Sequence, residues 1–149
     1  MINYCFGSKE ALFYEAFKDL QDSVLEYKPE LAEIMNSDMA PKDKLIEGSM
    51  EMVKLMLEYF SMAQAIVKFC VMNKKMDLNN ATYELVKAHF AGRKTDGECM
   101  LIAYAFNSSI ELMVLRHKEI SETCGIDMTD ETVIRNIIVK TVNKCLAEV

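Results

Sequence analysis

Apolar residues recur every three or four positions along almost the whole chain, which is the spacing of one face of an α-helix. The first such face begins after Ser8 and consists of Leu12, Ala16, Leu20 and Val24. Only two Pro and five Gly occur among the 149 residues, so few positions interrupt helices. No segment shows the two-residue alternation of a half-buried strand. The pattern therefore predicts an all-α fold in one domain.

Turn and capping residues divide this pattern into a bundle of about six helices. Pro41 suits a first helical position, and Thr95 with Glu98 forms a capping box, in which each side chain bonds the other's backbone N–H. Asn80 precedes another helix, and Ser61 is a candidate cap. The predicted helices run from Ser8 to about Met35, and over about 41–59, 61–73, 80–92, 95–119 and 129–146.

The charge distribution argues against nucleic-acid binding by these residues themselves. The formal net charge is −6, whereas a nucleic-acid binder needs cations to replace the counterions of the phosphates. Asp77 and Glu84 dilute the densest basic stretch, which we interpret as a solvated face. That stretch consists of Lys68, Lys74, Lys75, Lys87, Arg93 and Lys94.

Cysteine usage and the lack of targeting signals favour a soluble protein in the cytoplasm. The five cysteines are odd in number and widely spaced, and none forms the C-x-x-C pair of a zinc or redox site. Reduced thiols are then the simplest interpretation. No secretory signal opens the chain, and the longest apolar run, 99–106, is far shorter than a membrane span. We expect no membrane attachment, no metal and no cofactor.

The predicted helix at 95–119 is apolar on nearly all sides, so both of its sides must be covered. In a domain of this size the protein itself can cover one side. The other needs either a second chain or complete internal burial, and we favour the second chain. The helix at 95–119 and the last helix would then form a four-helix homodimer interface, with two helices from each subunit. The interface residues predicted are Leu101, Ala105, Leu112, Leu115, Ile134, Ile138, Val142 and Cys145.

The opening stretch INYCFGSKEALF has the pattern of a helix end, a tight turn and a new helix. Gly7 easily adopts the left-handed backbone that follows a helix C-terminus. Ser8 can accept a hydrogen bond from the free N–H groups of the next helix, and Glu10 lies favourably in its first turn. Nearly all of the helix that ends here is expected to be missing.

This stretch resembles the junction in TetR-family transcriptional regulators, where the DNA-recognition helix ends and the regulatory domain begins. The family pattern is an aromatic, a variable residue, Phe, a small or turn residue, Ser-Lys-Glu and then apolar residues. Cys5 stands where the family often has His or Tyr. The matching positions are Tyr4, Phe6, Gly7, Ser8, Lys9, Glu10, Leu12 and Phe13.

The resemblance implies an all-helical regulatory domain that dimerises through its last two long helices and binds a small apolar or amphipathic effector. Residues 1–7 would be the remnant of the recognition helix, and 8–149 the effector-binding and dimerisation domain. Asn3, Tyr4 and Lys9 would be what remains of the DNA-binding surface. The rest of the helix-turn-helix module is missing, so the chain would reach DNA only through a module that it lacks.

By the same resemblance, an effector pocket would lie among the helices at 41–60, 61–75, 79–92 and 98–118. Methionine adapts its shape to cores and to pockets alike, and aromatic residues serve in both. The alternative is therefore that each of the candidates is simply core. The candidate lining residues are Met56, Phe60, Phe69, Met72, Tyr83, Phe90 and Tyr104.

One polar strip interrupts the most apolar helix, where Tyr104, Asn107 and Glu111 follow each other at helical spacing. A carboxylate there must be hydrogen-bonded, paired or exposed, because burying it alone is costly. Asn107 and Glu111 could orient the polar or cationic group of a ligand. The alternatives are a wet seam at the dimer edge, or a contact of Glu111 with Arg116 or Lys118.

No catalytic constellation is visible, and we expect no enzymatic activity. His89 and His117 lie far apart, and neither has a nucleophile or metal ligand at a recognisable spacing. The five isolated glycines form no phosphate-binding loop. The main alternative to a ligand-responsive regulator is a standalone helical interaction protein that sequesters a regulator subunit.

Overall fold

A computed structural model of the chain describes residues 8, 9, 11, 12, 15, 16, 28–73 and 80–147, apart from the side chains of Phe69 and Asn73. This part is all-helical and contains no strand. Its helices are α1 (Pro29–Asn36), α2 (Pro41–Glu58), α3 (Phe60–Asn73), α4 (Ala81–Phe90), α5 (Asp96–Leu115), α6 (His117–Cys124) and α7 (Glu131–Cys145). Asn3 and Tyr4, and most of the helix predicted after Ser8, lie outside the described residues.

Side-chain caps hold several helix starts where the sequence predicts them. Thr95 accepts the N–H of Glu98, and the Glu98 carboxylate accepts the N–H of Thr95 in return, so the capping box is confirmed. Asn80 accepts from the N–H of Tyr83 at the start of α4. Ser8 Oγ accepts from the N–H of Ala11 at 3.0 Å, as expected for a helix cap.

The core is formed by α2, α4, α5 and α7, and α1, α3 and α6 pack around them. α2 contacts α4 and α7, and α5 contacts α4 and α7, so each of these four helices buries one apolar stripe against two neighbours. The largest side chains that are almost completely buried are Phe90, Phe106, Met50, Ile138, Val53, Val86, Val114 and Val142.

A close approach at Gly48 seats α1 on α2. A Cβ atom at this position would lie 2.8 Å from Cε of Met35 and 3.7 Å from Cδ1 of Leu31. Glycine in a helix interior costs about 1 kcal/mol relative to alanine. Here the missing side chain lets the apolar face of α1 lie directly on the backbone of α2.

Besides the start of α1 at Pro29, which falls inside the helix predicted from Ser8 to about Met35, two helix boundaries differ from the sequence prediction. α5 ends at Leu115, and His117 begins the separate helix α6, so residues 28–73 and 80–147 contain seven helices. Nδ1 of His117 lies 2.9 Å from the carbonyl oxygen of Val114, next to the break. The break thus falls where the apolar run of α5 gives way to polar residues that satisfy the freed backbone groups.

The second difference is at the α2–α3 junction. α3 begins at Phe60, so Ser61 lies inside the helix and does not cap it. Only Tyr59 separates α2 from α3, and the two helices meet at an angle of 105°. A sharp bend after so short a connection leaves a space between the two helices.

By length and composition alone, α5 could also cross a membrane, and a third of that stretch is buried within the fold. α2 and α3 together pass the same test only as a broken span. Core helices of soluble proteins have the same length and composition. In this fold α5 supplies six residues to the core, Cys99, Met100, Ala103, Phe106, Ile110 and Val114.

Candidate ligand cavity and helix face

A cavity of about 170 Å³ lies in the space between α2, α3 and α5. Most of its lining is apolar, and three of the lining residues are methionines. Four residues with polar side-chain atoms also line it. The full lining consists of Ser49, Met52, Leu55, Met56, Tyr59, Met62, Ala63, Ile66, Val67, Phe106, Asn107, Ile110 and Glu111.

Helical spacing explains which side chains reach the cavity. Met52 and Met56 are four residues apart on α2, and Met62 and Ile66 are four apart on α3. The 105° angle between these helices turns the two pairs toward the same space, and α5 closes it from the other side. Tyr59 at the bend is about half exposed, so it lies where the cavity meets the surface.

The Glu111 carboxylate is the most unusual group in the cavity. Its side chain is partly buried, and burial raises the pKa of the carboxyl above its ordinary value. It has no hydrogen bond or ion pair with any residue within 28–73 or 80–147. Arg116, which the sequence offered as a contact, instead donates two hydrogen bonds to Glu119, and Lys118 is exposed.

Asn107, one turn earlier on α5, is held from outside the cavity. Its Oδ1 accepts a hydrogen bond from Oγ1 of Thr82 on α4 at 3.0 Å. Ser49 Oγ donates to the carbonyl oxygen of Leu45 at 2.6 Å on its own helix. Among the described residues that line the cavity there is no Lys, Arg or His, so its only formal charge is that of Glu111.

The structure brings three of the predicted ligand-binding residues together at this cavity: Met56, Asn107 and Glu111. Tyr83 and Phe90 are instead 8 % and 1 % exposed, and both belong to the core. Their rings pack among α2, α4 and α5, which agrees with the alternative that these candidates are core.

The remaining candidates lie elsewhere. Met72 is 74 % exposed and Tyr104 is 51 % exposed, and neither lines the cavity. Phe60 packs edge-on against the ring of His117, with the ring centroids 4.8 Å apart. The side chain of Phe69 lies outside the described residues. Met52, Met62 and Phe106 line the cavity but were not among the candidates; their helical spacing was visible, but the angle between α2 and α3 was not.

The outer face of α5 is apolar and exposed. Leu101 is 65 % exposed, Leu112 is 57 % exposed, and Ala105 between them is also exposed. Beyond Leu112 this face continues into an open groove of about 280 Å³ between α5 and α6. We call the residues Leu101, Tyr104, Ala105 and Leu112 the outer α5 face.

The predicted interface residues of α7 behave differently. Ile134, Ile138 and Val142 are at most 3 % exposed and pack in the core of their own chain. Their assignment to a dimer interface is therefore corrected, because the apolar stripe of α7 is already used against α2 and α5. Cys145 and Leu115 are half-buried.

No metal-binding group assembles in the part of the chain that is described. No three His, Cys, Asp or Glu side chains there lie close enough to share a metal ion. His89 lies beside Phe90, and burial, with Arg93 and Lys42 nearby, lowers the pKa of its ring. The thiols of Cys99 and Cys145 have pKa values raised by burial, which makes them less reactive.

No protein-family model, curated protein or solved structure matches this chain. The resemblance to TetR-family regulators thus rests on the residues of the N-terminal junction and on the helical architecture.

Proposed function

We propose that this protein is the ligand-sensing and dimerisation part of a transcriptional regulator of the TetR type. The observation that carries the proposal is the position of α5. One flank of α5 supplies Phe106, Asn107 and Glu111 to the cavity, and the exposed side of the same helix is the outer α5 face. One helix therefore joins a space for a small molecule to a surface for a second chain.

In the proposed mechanism a ligand in the cavity favours one arrangement of α2, α3 and α5 over another. Such a shift requires that the ligand bind the two arrangements with different affinity. Movement of α5 then changes the relative position of the two subunits, and the helix that begins at Ser8 transmits it toward a DNA-binding module. DNA contact belongs to that module, and the protein acts in the cytoplasm.

The outer α5 face also supports the second candidate, a helical protein that captures a regulator subunit. An exposed apolar face is a common mark of a protein interface. The two candidates differ in the cavity, which only the sensing function requires.

Molar mass in solution tests the proposed function first. Light scattering after size-exclusion chromatography, at chain concentrations from micromolar to hundreds of micromolar, is expected to give twice the chain mass of 17.0 kDa. A monomer throughout this range would contradict dimerisation through α5. A dimer that exchanges readily into a heterodimer with a regulator subunit would favour the capturing protein.

A further inference from the structure

We infer that the cavity between α2, α3 and α5 binds a small apolar molecule that carries one positively charged amine, with Glu111 as the partner of that amine. This inference rests on the proposed ligand-sensing function and names the chemical class of its ligand. The shape of the cavity, the charges on its walls and the missing partner of Glu111 each contribute to it.

The negative charge of the cavity lining favours a ligand that carries a positive charge. Among the described residues of the lining, Glu111 alone is charged, and no cation from the described part of the chain pairs with it. A partly buried carboxylate without a partner is unfavourable, and an ammonium group supplies both the opposite charge and hydrogen-bond donors. A carboxylate or phosphate ligand would instead be repelled by Glu111.

Two polar groups at the cavity, those of Ser49 and Glu111, favour a ligand that donates hydrogen bonds, whereas Asn107, whose Oδ1 is bonded to Thr82, offers its own N–H donors. Ser49 already gives its proton to the carbonyl oxygen of Leu45, so its oxygen faces a ligand as an acceptor. The Glu111 carboxylate is also an acceptor when ionised. An ammonium group donates three hydrogen bonds and accepts none, so it suits this set of acceptors.

The volume and lining set the size and character of the rest of the ligand. A dry apolar cavity of about 150 Å³ is large enough for benzene, so about 170 Å³ suits one ring or a short branched chain. Met52, Met56 and Met62 provide flexible apolar walls that adapt to the shape of the guest. The structure therefore assigns an amine on a single apolar group rather than a large multi-ring cation.

A matched set of three one-ring compounds tests the inference: benzylamine, benzyl alcohol and benzoate at neutral pH. The full chain is labelled with ¹³C at the methionine methyl groups, and each compound is titrated while the signals of Met52, Met56 and Met62 are followed. Met128, which is buried but does not line the cavity, is the internal control. We expect benzylamine to shift the three cavity signals with a dissociation constant at least about tenfold below that of benzyl alcohol, and benzoate to shift none.

Two variants assign the effect to this site. Glu111→Gln keeps the shape of the side chain but removes its charge, and it is expected to bring the two dissociation constants within about twofold of each other. Glu122→Gln makes the same charge change on an exposed side chain outside the cavity and should leave the preference intact. Ala63→Leu fills part of the cavity and should abolish the shifts caused by both compounds.

Each contrary result has a definite meaning. Equal affinity for benzylamine and benzyl alcohol, or a preference that survives in Glu111→Gln, would overturn the assignment of an amine while leaving a ligand cavity in place. Binding that persists in Ala63→Leu would place the compounds elsewhere and also overturn it. If none of the compounds shifts the cavity signals, the inference fails together with the ligand-sensing part of the proposed function.

Discussion

Arg135 on α7 donates two parallel hydrogen bonds to Glu47 on α2, from Nη1 to Oε1 and from Nη2 to Oε2, both at 2.7 Å. Lys54 on the same helix lies 3.0 Å from Glu131 at the start of α7, so charged pairs join these two helices at two points. α2 also forms one wall of the cavity. The two ion pairs therefore connect a wall of the cavity to the last helix.

The Glu47–Arg135 pair predicts a stability difference that depends on pH. The hydrogen bonds from Arg135 hold the pKa of Glu47 below its ordinary value, so the pair stabilises the fold above a pH of about 4.3 and this contribution is lost as the pH falls through the lowered pKa. Glu47→Gln is expected to lower the free energy of unfolding at pH 7 by less than about 1 kcal/mol, since both side chains are partly exposed.

Urea unfolding at pH 7 and at pH 3, in low and high salt, measures this effect. The difference should shrink at pH 3 and in high salt, because salt screens exposed charges. Glu33→Gln on the exposed side of α1 is the control and should change nothing measurable. A loss that persists at pH 3 would show that Glu47 acts through packing and not through its charge.

For Glu111 we expect the opposite effect on stability from that of Glu47: removing its charge should stabilise the fold at high pH. Burial raises its pKa in the folded protein above that of the unfolded chain, so the ionised form opposes folding and stability falls as the pH rises through the raised pKa. Without ligand, Glu111→Gln is expected to be more stable than the unmodified protein at pH 8, by about 1 kcal/mol or less. The advantage should disappear at a pH below both pKa values.

Thermal unfolding followed by circular dichroism over this pH range tests the point, with Glu122→Gln as the control. A residue that lowers the stability of the fold but binds a ligand is typical of a binding site. A residue with a purely structural role is instead expected to stabilise the fold. A clear loss of stability in Glu111→Gln at pH 8 would therefore count against a ligand role.

The cavity itself predicts how two buried alanines differ. Ala63 on α3 lines the cavity and Ala103 on α5 lies in the filled core, with exposed fractions of 7 % and 0 %. Ala63→Leu places its added carbon atoms in empty space, so it should leave the stability unchanged or raise it by up to about 1 kcal/mol. Ala103→Leu should lower the free energy of unfolding by about 1–3 kcal/mol through overpacking. Equal losses in the two variants, measured by urea unfolding, would mean that the cavity is closed in solution.

The helices could be predicted from the sequence wherever their causes are local. Thr95, Glu98 and Asn80 act within one turn, and the apolar spacing marks the core stripes of α2, α5 and α7. The junction of α2 and α3 is predicted one residue too late, and the break at Arg116 is not predicted, because no Gly or Pro marks it. Each depends on contacts between helices, such as that of Phe60 with His117.

The candidate site divides in the same way. Asn107 and Glu111 could be identified as candidates because polar side chains on a strongly apolar helix are costly to bury without a partner. Tyr83 and Phe90 show the limit of that approach, since size and helical spacing are the same for a core residue and for a wall residue. Which of them faces empty space depends on the angle between α2 and α3, and that angle is set by tertiary packing.

Finally, the outer α5 face predicts a substitution that separates the subunits without unfolding them. Leu112 is 57 % exposed in the single chain, so Leu112→Glu places a charge mainly in water and should leave the fold intact. In the proposed dimer the same charge would be buried against an apolar partner, and the dimer dissociation constant should rise at least about tenfold. Val71→Glu makes the same change at a residue of α3 that is 70 % exposed, and should leave the dimer intact.

Sedimentation velocity at several chain concentrations, with circular dichroism to confirm folding, separates the outcomes. Dissociation in Leu112→Glu alone supports association through the outer α5 face. Dissociation in Val71→Glu alone would show that the subunits contact each other through α3 and not through the outer α5 face. A subunit contact through α3 would also leave the cavity next to the interface, because α3 is one of its walls. The direct role of α5 in signal transmission would then be wrong, and α3 would take its place.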